Sequence, residues 1–193
     1  MIRIFHGPEI HRVPALRDAM FRDRAAQFVG RLNWPLAVDQ RGREIDQYDR
    51  LRPSYVICTD DEGRHQGSLR LLPTMGRTMM GENFPGLAPD DFRRPGVMEC
   101  TRYCIAPGAP AHVSAALFLG VLELGLDPGW SGSDGVFDAR MMRVYQRLGT
   151  PARIVSMLGE GRDALCLGYF DFDPALREGL ERRAGDERVL LAA

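Results

Sequence analysis

Apolar residues fall along this chain in short runs separated by Gly, Pro and acidic turn signals, and the period of each run assigns an element. Residues 2–5 read as a first strand, and Gly7-Pro8 opens a helical stretch over residues 9–31. Leu16, Met20, Ala25 and Phe28 give that stretch an apolar stripe, and the spacing of Arg24, Phe28 and Arg31 puts those three on one face. Residues 33–53 are polar and broken by Pro and Gly, a long loop of the kind that often serves as a lid. Asp46 and Asp49 within it are spaced to face one way on a helical turn, or they belong to a solvated acidic loop.

Two strands follow, over 55–59 and 66–72, with the turn signal Asp60-Asp61-Glu62-Gly63 between them. A Met- and Gly-rich segment, 74–96, then supplies an adaptable apolar cover, either core filling or a substrate pocket. The run 98–105 is a strand bounded by Pro-Gly on both sides, and residues 111–126 form a helix apolar nearly all round. A short strand over 134–137 leads to a helix with Asp138 as N-cap and Gly149 as C-cap. Strands over 152–156 and 164–170 and a helix over 174–184 complete the pattern, with residues 185–193 a frayed tail. Six or seven strands interleaved with helices define an α/β (α+β) domain, a mixed twisted sheet covered by helices in three layers, and one domain over 1–193.

Composition narrows the chemistry. A net charge of -1 supplies no electrostatic pull toward nucleic acid. No apolar run reaches the ~18 residues of a membrane span, and no secretory signal is visible, so a cytoplasmic location is expected. Cys58, Cys100, Cys104 and Cys166 lack CxxC spacing and read as reduced thiols, with no metal site. All 25 basic residues are arginine. Schiff-base chemistry and a P-loop lysine are thereby excluded, and anions must be held by arginine or backbone amides.

Isolated charges inside apolar strands are the sharpest signal. Arg70 lies in Gly67-Ser68-Leu69-Arg70-Leu71-Leu72, and Glu99 and Arg102 lie in Met98-Glu99-Cys100-Thr101-Arg102-Tyr103. Burying them is costly unless each finds a partner, so they are either sheet-edge residues or the floor of a site. In a regular strand, residues 99 and 102 point to opposite faces. Joint service in one site therefore requires a bulge or splay within 99–104. Arg140, Arg143 and Arg147 share another basic face, solvated or docking.

In chain order, Arg24, Phe28, Trp34, then Glu44-Ile45-Asp46-Gln47-Tyr48-Asp49, then Gly67-Ser68-Leu69-Arg70-Leu71-Leu72-Pro73-Thr74, then Glu99-Cys100-Thr101-Arg102-Tyr103 resemble the acyl-homoserine-lactone synthases, the LuxI-type autoinducer synthases. The resemblance covers roughly residues 1–170. It implies a GNAT-like fold, with residues 1–53 as N-terminal helix and lid-like loop, and a bacterial enzyme with S-adenosylmethionine as substrate and no prosthetic group. Such an enzyme moves an acyl chain from acyl carrier protein or acyl-CoA to the α-amine of S-adenosylmethionine. It then closes the lactone and releases methylthioadenosine, making a quorum-sensing signal.

By the same resemblance Glu99 is the base, and Arg102 or Arg24 holds the substrate carboxylate. Asp46 and Asp49 pair with the arginines, Phe28 and Trp34 wall the pocket, and Arg70 and Thr101 complete that side. Met79, Met80, Phe84 and Leu122 are candidates for the acyl pocket, and Arg140, Arg143 and Arg147 for carrier-protein docking. Thr101 stands where many members carry Ser, and Thr150 replaces the usual aromatic after Gly149. Two other readings are an acyl-CoA N-acyltransferase acting on another amine and a non-catalytic carrier-protein-binding relative. Ala106-Pro107-Gly108-Ala109-Pro110, in place of a pyrophosphate loop, argues against the first. The intact charged set argues against the second. Oligomeric state is not specified by the sequence.

Overall fold

The computed structural model of the chain describes residues 1–185 and 189–191. Their frame is a mixed sheet in the order β6-β7-β5-β4-β3-β2-β1-β8. The strands are β1 (Ile2–His6), β2 (Ser54–Thr59), β3 (His65–Pro73), β4 (Val97–Ile105), β5 (Gly132–Asp138), β6 (Arg153–Leu158), β7 (Leu165–Asp171) and β8 (Val189–Leu191). Strands β1 to β4 form an antiparallel meander. Strand β5 then joins β4 in parallel, β7 pairs antiparallel with both β5 and β6, and β8 adds to β1 in parallel. The count is eight, one above the expected range. The extra strand comes from the segment expected to fray, where Val189 packs on the core and pairs with Ile2. Residues 186–188 and 192–193 of that expected tail lie outside the described residues.

Alternation along the strands sends one row of side chains to each face. Ile2, Ile4, Val56, Leu69, Leu71 and Met98 meet α3 (Val113–Leu126), whose apolar surface runs nearly all round. The final helix, α5 (Arg177–Ala184), begins after a 3₁₀ turn, Pro174–Leu176, and Leu180 and Ala184 close the same layer. Phe5, Tyr55 and Ile57 on the other face meet Leu16, Met20 and Phe21 of α1 (Pro14–Arg24). A short α2 (Met79–Asn83) and the loop after it extend this layer, with Met80, Leu87 and Phe92 packed on Leu167. The arrangement is the expected three layers.

The stretch expected as one helix over 9–31 is three windings. Gly7–Arg12 is a 3₁₀ turn, α1 follows, and Ala25–Arg31 continues it as a π-helix closed by the Leu32 N–H donating to the Gln27 carbonyl at 3.0 Å. A π-turn holds one residue more than an α-turn and shifts every side chain beyond it. Arg24, the last residue of α1, is buried, and the π-winding buries Phe28 after it, whereas Arg31 turns to solvent and bonds Gln27. The helix expected after Asp138 also divides, into a 3₁₀ turn, Ala139–Met141, and α4 (Met142–Leu148). Asp138 occupies the N-cap position of that turn, but its carboxylate makes no capping hydrogen bond and instead accepts from Arg140 Nε at 3.2 Å. Gly149 does end α4, at φ +78°, the left-handed conformation glycine adopts without Cβ strain.

Candidate active site

The site is organised by an irregularity in β4. Ser68 of β3 pairs with Cys104, but Arg70 pairs with Thr101, so β4 carries one extra residue across that interval. Arg102, at φ +55°, takes up the slack. This is the bulge that joint use of Glu99 and Arg102 requires. Cys100 and Tyr103 go to the α3 face. Glu99, Thr101 and Arg102 all emerge on the α1 face, as their contacts show.

Across that face three guanidiniums and three carboxylates close a ring. Arg24 bonds Glu44 through Nε at 2.7 Å and Asp49 through Nη1 at 2.9 Å. Arg70 reaches Asp49 at 2.8 Å and Asp46 at 2.5 Å, both through Nη1, and its Nε donates to Thr101 Oγ1 at 3.0 Å. Arg102 Nη2 completes the circuit, 3.0 Å from both Asp46 and Glu44. Each carboxylate meets two arginines and each arginine two carboxylates, so the buried set carries no net charge. That closure offsets a desolvation cost which a single buried pair rarely recovers. Asp46 and Asp49 also cap a 3₁₀ turn, Gln47–Arg50, reciprocally, which fixes the loop that carries them. Burial pushes the Asp49 carboxyl up, but Arg24 and Arg70 outweigh it and hold it below the usual carboxylate range. The Tyr55 hydroxyl donates to Asp49 at 2.7 Å, and burial beside that carboxylate raises its own pKa.

Glu99 stands outside the ring. Its carboxylate accepts the backbone N–H groups of Met80 at 2.6 Å and Met79 at 2.9 Å, the first turn of α2. Burial raises its pKa, and the two amides and Arg70 offset part of that rise. Thr78 starts the helix by accepting from the Gly81 N–H, which presents those amides. Tyr48 ties the loop to this element, donating to Glu82 at 2.8 Å and accepting from Asn83 at 2.9 Å.

Beyond Glu99 and its partner Asp134 the ladder between β4 and β5 ends, and the two strands part. A cleft of about 1560 Å³ passes through the gap. On the α1 side it is lined by Phe28, Trp34, Asp46, Met79, Thr101 and Arg102. Phe28 and Trp34 stack there at 4.9 Å between centroids, and the Arg102 guanidinium lies 5.6 Å from the Phe28 ring. On the α3 side Ser133 and Gly135 of β5, small residues that keep the throat open, lead to Phe118, Leu122, Tyr145 and Phe170.

The structure thus brings together most of the residues singled out in the sequence. Arg24, Asp49 and Arg70 form the buried back of the ring. Phe84 and Leu122, acyl-pocket candidates, line the cleft, and so does Arg140, a candidate for carrier docking. Met80 does not, because its side chain fills a core cluster with Leu87 and Phe92 and only its amide faces the site. Arg143 and Arg147 are exposed on α4. The third ring carboxylate is Glu44, which the sequence did not single out. Glu44 sits two residues before Asp46 in one acidic run, and that proximity was its only mark in the sequence. No cluster able to hold a metal occurs among the described residues.

A twisted mixed sheet whose central parallel strands part around a substrate-sized cleft is the GNAT-like fold. A putative N-acetyltransferase from Lactobacillus plantarum superposes with a TM-score of 0.59 at 18% identity, covering 89% of this chain and 98% of that one. The likeness is greater to BjaI, a CoA-dependent acyl-homoserine lactone synthase solved with SAM and isopentyl-CoA. There the TM-score is 0.85 at 23% identity, over 100% of this chain and 93% of that one. The family model described as autoinducer synthase matches residues 10–180. The acyl-homoserine-lactone synthase of Rhizobium etli is 40% identical over 157 residues, 77% of this chain and 74% of the relative. That of Agrobacterium fabrum is 33% identical over 155 residues, 75% and 73% respectively. The chain belongs to the autoinducer synthase family and is an acyl-homoserine-lactone synthase.

Proposed function

We propose that this enzyme joins an acyl thioester to S-adenosylmethionine and closes the product to a lactone in the single cleft between β4 and β5. The α-amine attacks the thioester carbonyl, forming the C–N bond and releasing the donor thiol. The substrate carboxylate oxygen then attacks its own γ-carbon. A C–O bond forms as the C–S bond breaks, and methylthioadenosine leaves as a neutral thioether. The second step needs positioning more than proton transfer, because nucleophile and leaving group belong to one molecule.

The observation that carries this reading is the closed arginine–carboxylate ring at the mouth of a cleft that crosses the sheet. Arg24 and Arg70 are saturated by ring partners, but Arg102 Nη1 has only the Met79 sulfur at 3.5 Å and faces the cleft. Arg102 is therefore the arginine that holds the substrate carboxylate. The stacked Phe28–Trp34 pair walls the adenosyl side of the cleft, and the outer face of Trp34 attracts the positive sulfonium. Glu99 lies 2% exposed beside Thr101, behind Met79, and takes the amine proton through a water. The amides of β4 past its last pairing with β5 supply donors for the tetrahedral oxyanion. The acyl chain enters the aromatic branch by Phe118, Tyr145 and Phe170.

The acyl donor is a carrier protein or coenzyme A, each of which presents its thioester on a flexible thiol arm. Exposed Arg143 and Arg147, with Arg140 at the rim, form the surface on which an acidic carrier would dock. No disulfide joins the four cysteines, and no described helix is long and apolar enough to cross a membrane. Both facts agree with a cytoplasmic site of action. The test is incubation of the purified protein with S-adenosylmethionine and a panel of acyl-carrier-protein and acyl-CoA donors, with products read by mass spectrometry. An acyl-homoserine lactone formed with at least one donor is expected. Acylation of a different amine, or no product with any donor, would contradict the assignment.

A further inference from the structure

Among the described residues a second charged pair lies directly behind the base and takes no part in the ring. Asp134 of β5 is the register partner of Glu99, and the two are the last pair before the strands part. Register partners on adjacent strands stand about 5 Å apart and share a face. Both carboxylates are almost fully buried, at 1% and 2% exposure. Asp134 does not line the cleft, whereas its neighbours Ser133 and Gly135 do. Arg94 Nη2 grips both Asp134 oxygens, at 3.0 and 2.9 Å. That guanidinium rests 5.1 Å from the Tyr169 ring, and the Arg94 backbone is pinned on both sides by the Thr74 hydroxyl.

Such a pair is expensive to bury and needs an explanation beyond stability. Against Asp134, the Arg70 guanidinium from β3 and the backbone amides of Met79 and Met80 from α2 favour the ionised form of Glu99. These donors work against the rise in proton affinity that burial gives Glu99. The Cys100 thiol, next in sequence, is itself raised by burial and stays neutral.

We propose that Asp134, fixed by Arg94, is a positioning residue for the reaction: its negative charge beside Glu99 counters the donors around that carboxylate and sets its proton affinity for amine deprotonation. The inference rests on Glu99 as the base. Asp134 is in turn faced by Arg94, by Arg153 of β6 and by Asp91 of the preceding loop. Burial keeps its own pKa high despite the Arg94 bond, so the pair responds to either partner's removal.

The signature is a displacement of the acidic limb of kcat/KM in opposite directions by the two partners. Asp134→Asn leaves Arg94 facing Glu99 without its counter-charge, so the limb is expected about one unit lower. Arg94→Gln removes the positive charge, and the limb moves up by a similar amount. A purely structural pair would lower activity at every pH without moving the limb. An unmoved limb, or displacement of both variants in one direction, overturns the proposal. Should Asp134→Asn fail to fold, Arg94→Gln decides alone, since the Arg94 side chain is 37% exposed: an upward shift supports the proposal and an unmoved limb ends it. Glu99→Gln separates this inference from the one beneath it. An inactive Glu99→Gln with unmoved limbs in the other two variants rejects only the role of Asp134. Retained turnover in Glu99→Gln rejects the base assignment, and the tuning with it.

Discussion

Single residues acquire their roles here from partners that sequence order does not display. Arg24 and Arg70 sit among apolar neighbours at 1% and 0% exposure because two carboxylates meet each of them. Asp49 holds both, so Asp49→Asn would leave two buried guanidiniums short of charge. We expect a loss of about 3–5 kcal/mol at neutral pH, read by urea unfolding. The pH dependence has a definite sign. The folded pKa of Asp49 lies below its unfolded value of ~3.9, so its contribution is complete above that pH and disappears as pH falls through the folded value. The variant should show a flatter decline in stability below about pH 5 than the parent. An equal decline would mean that other carboxylates govern acid unfolding. The sequence made Arg70, Glu99 and Arg102 legible because a charge in an apolar run demands a partner. It left Glu44 among its acidic neighbours and gave no sign of Asp134, whose meaning depends on a register pairing.

At the scale of elements, two departures from regularity shape the site. The π-winding after α1 brings Phe28 to the Trp34 ring, and the bulge at Arg102 gathers Glu99, Thr101 and Arg102 on one face. The bulge could be inferred, because residues 99 and 102 cannot otherwise serve together. The π-turn could not, since one additional residue in a helix leaves its apolar pattern nearly intact. The parting of β4 and β5 makes a further prediction. A Cβ on Gly135 would lie 3.5 Å from Phe170 and 3.6 Å from the Cys100 carbonyl, ordinary contact that the fold tolerates. The added methyls of Gly135→Val would then occupy the throat. We expect kcat/KM for long-chain donors to fall at least tenfold while short-chain donors are affected less. Uniform loss across chain lengths would place the acyl chain elsewhere.

Over the whole molecule, the order of strands and helices followed from hydrophobic period and turn residues, because each run is short and sharply bounded. The long-range events were hidden: β8 returning to β1, and α2 laying its amides on Glu99. The exposed arginines of α4 belong to this scale because they concern a partner. Reversing Arg143 and Arg147 to Glu should raise KM for a carrier-protein donor about tenfold and leave KM for S-adenosylmethionine unchanged. An unchanged carrier KM would move the docking surface off α4. The central claim is that the bulged strand, the ring and the cleft form one site performing two coupled bond changes. It is tested most directly by release of methylthioadenosine from S-adenosylmethionine, with and without an acyl donor, in the parent protein and in Glu99→Gln. The account predicts release only with donor, and at least a hundredfold slower turnover in folded Glu99→Gln. Release without donor, or undiminished turnover in the variant, would contradict it.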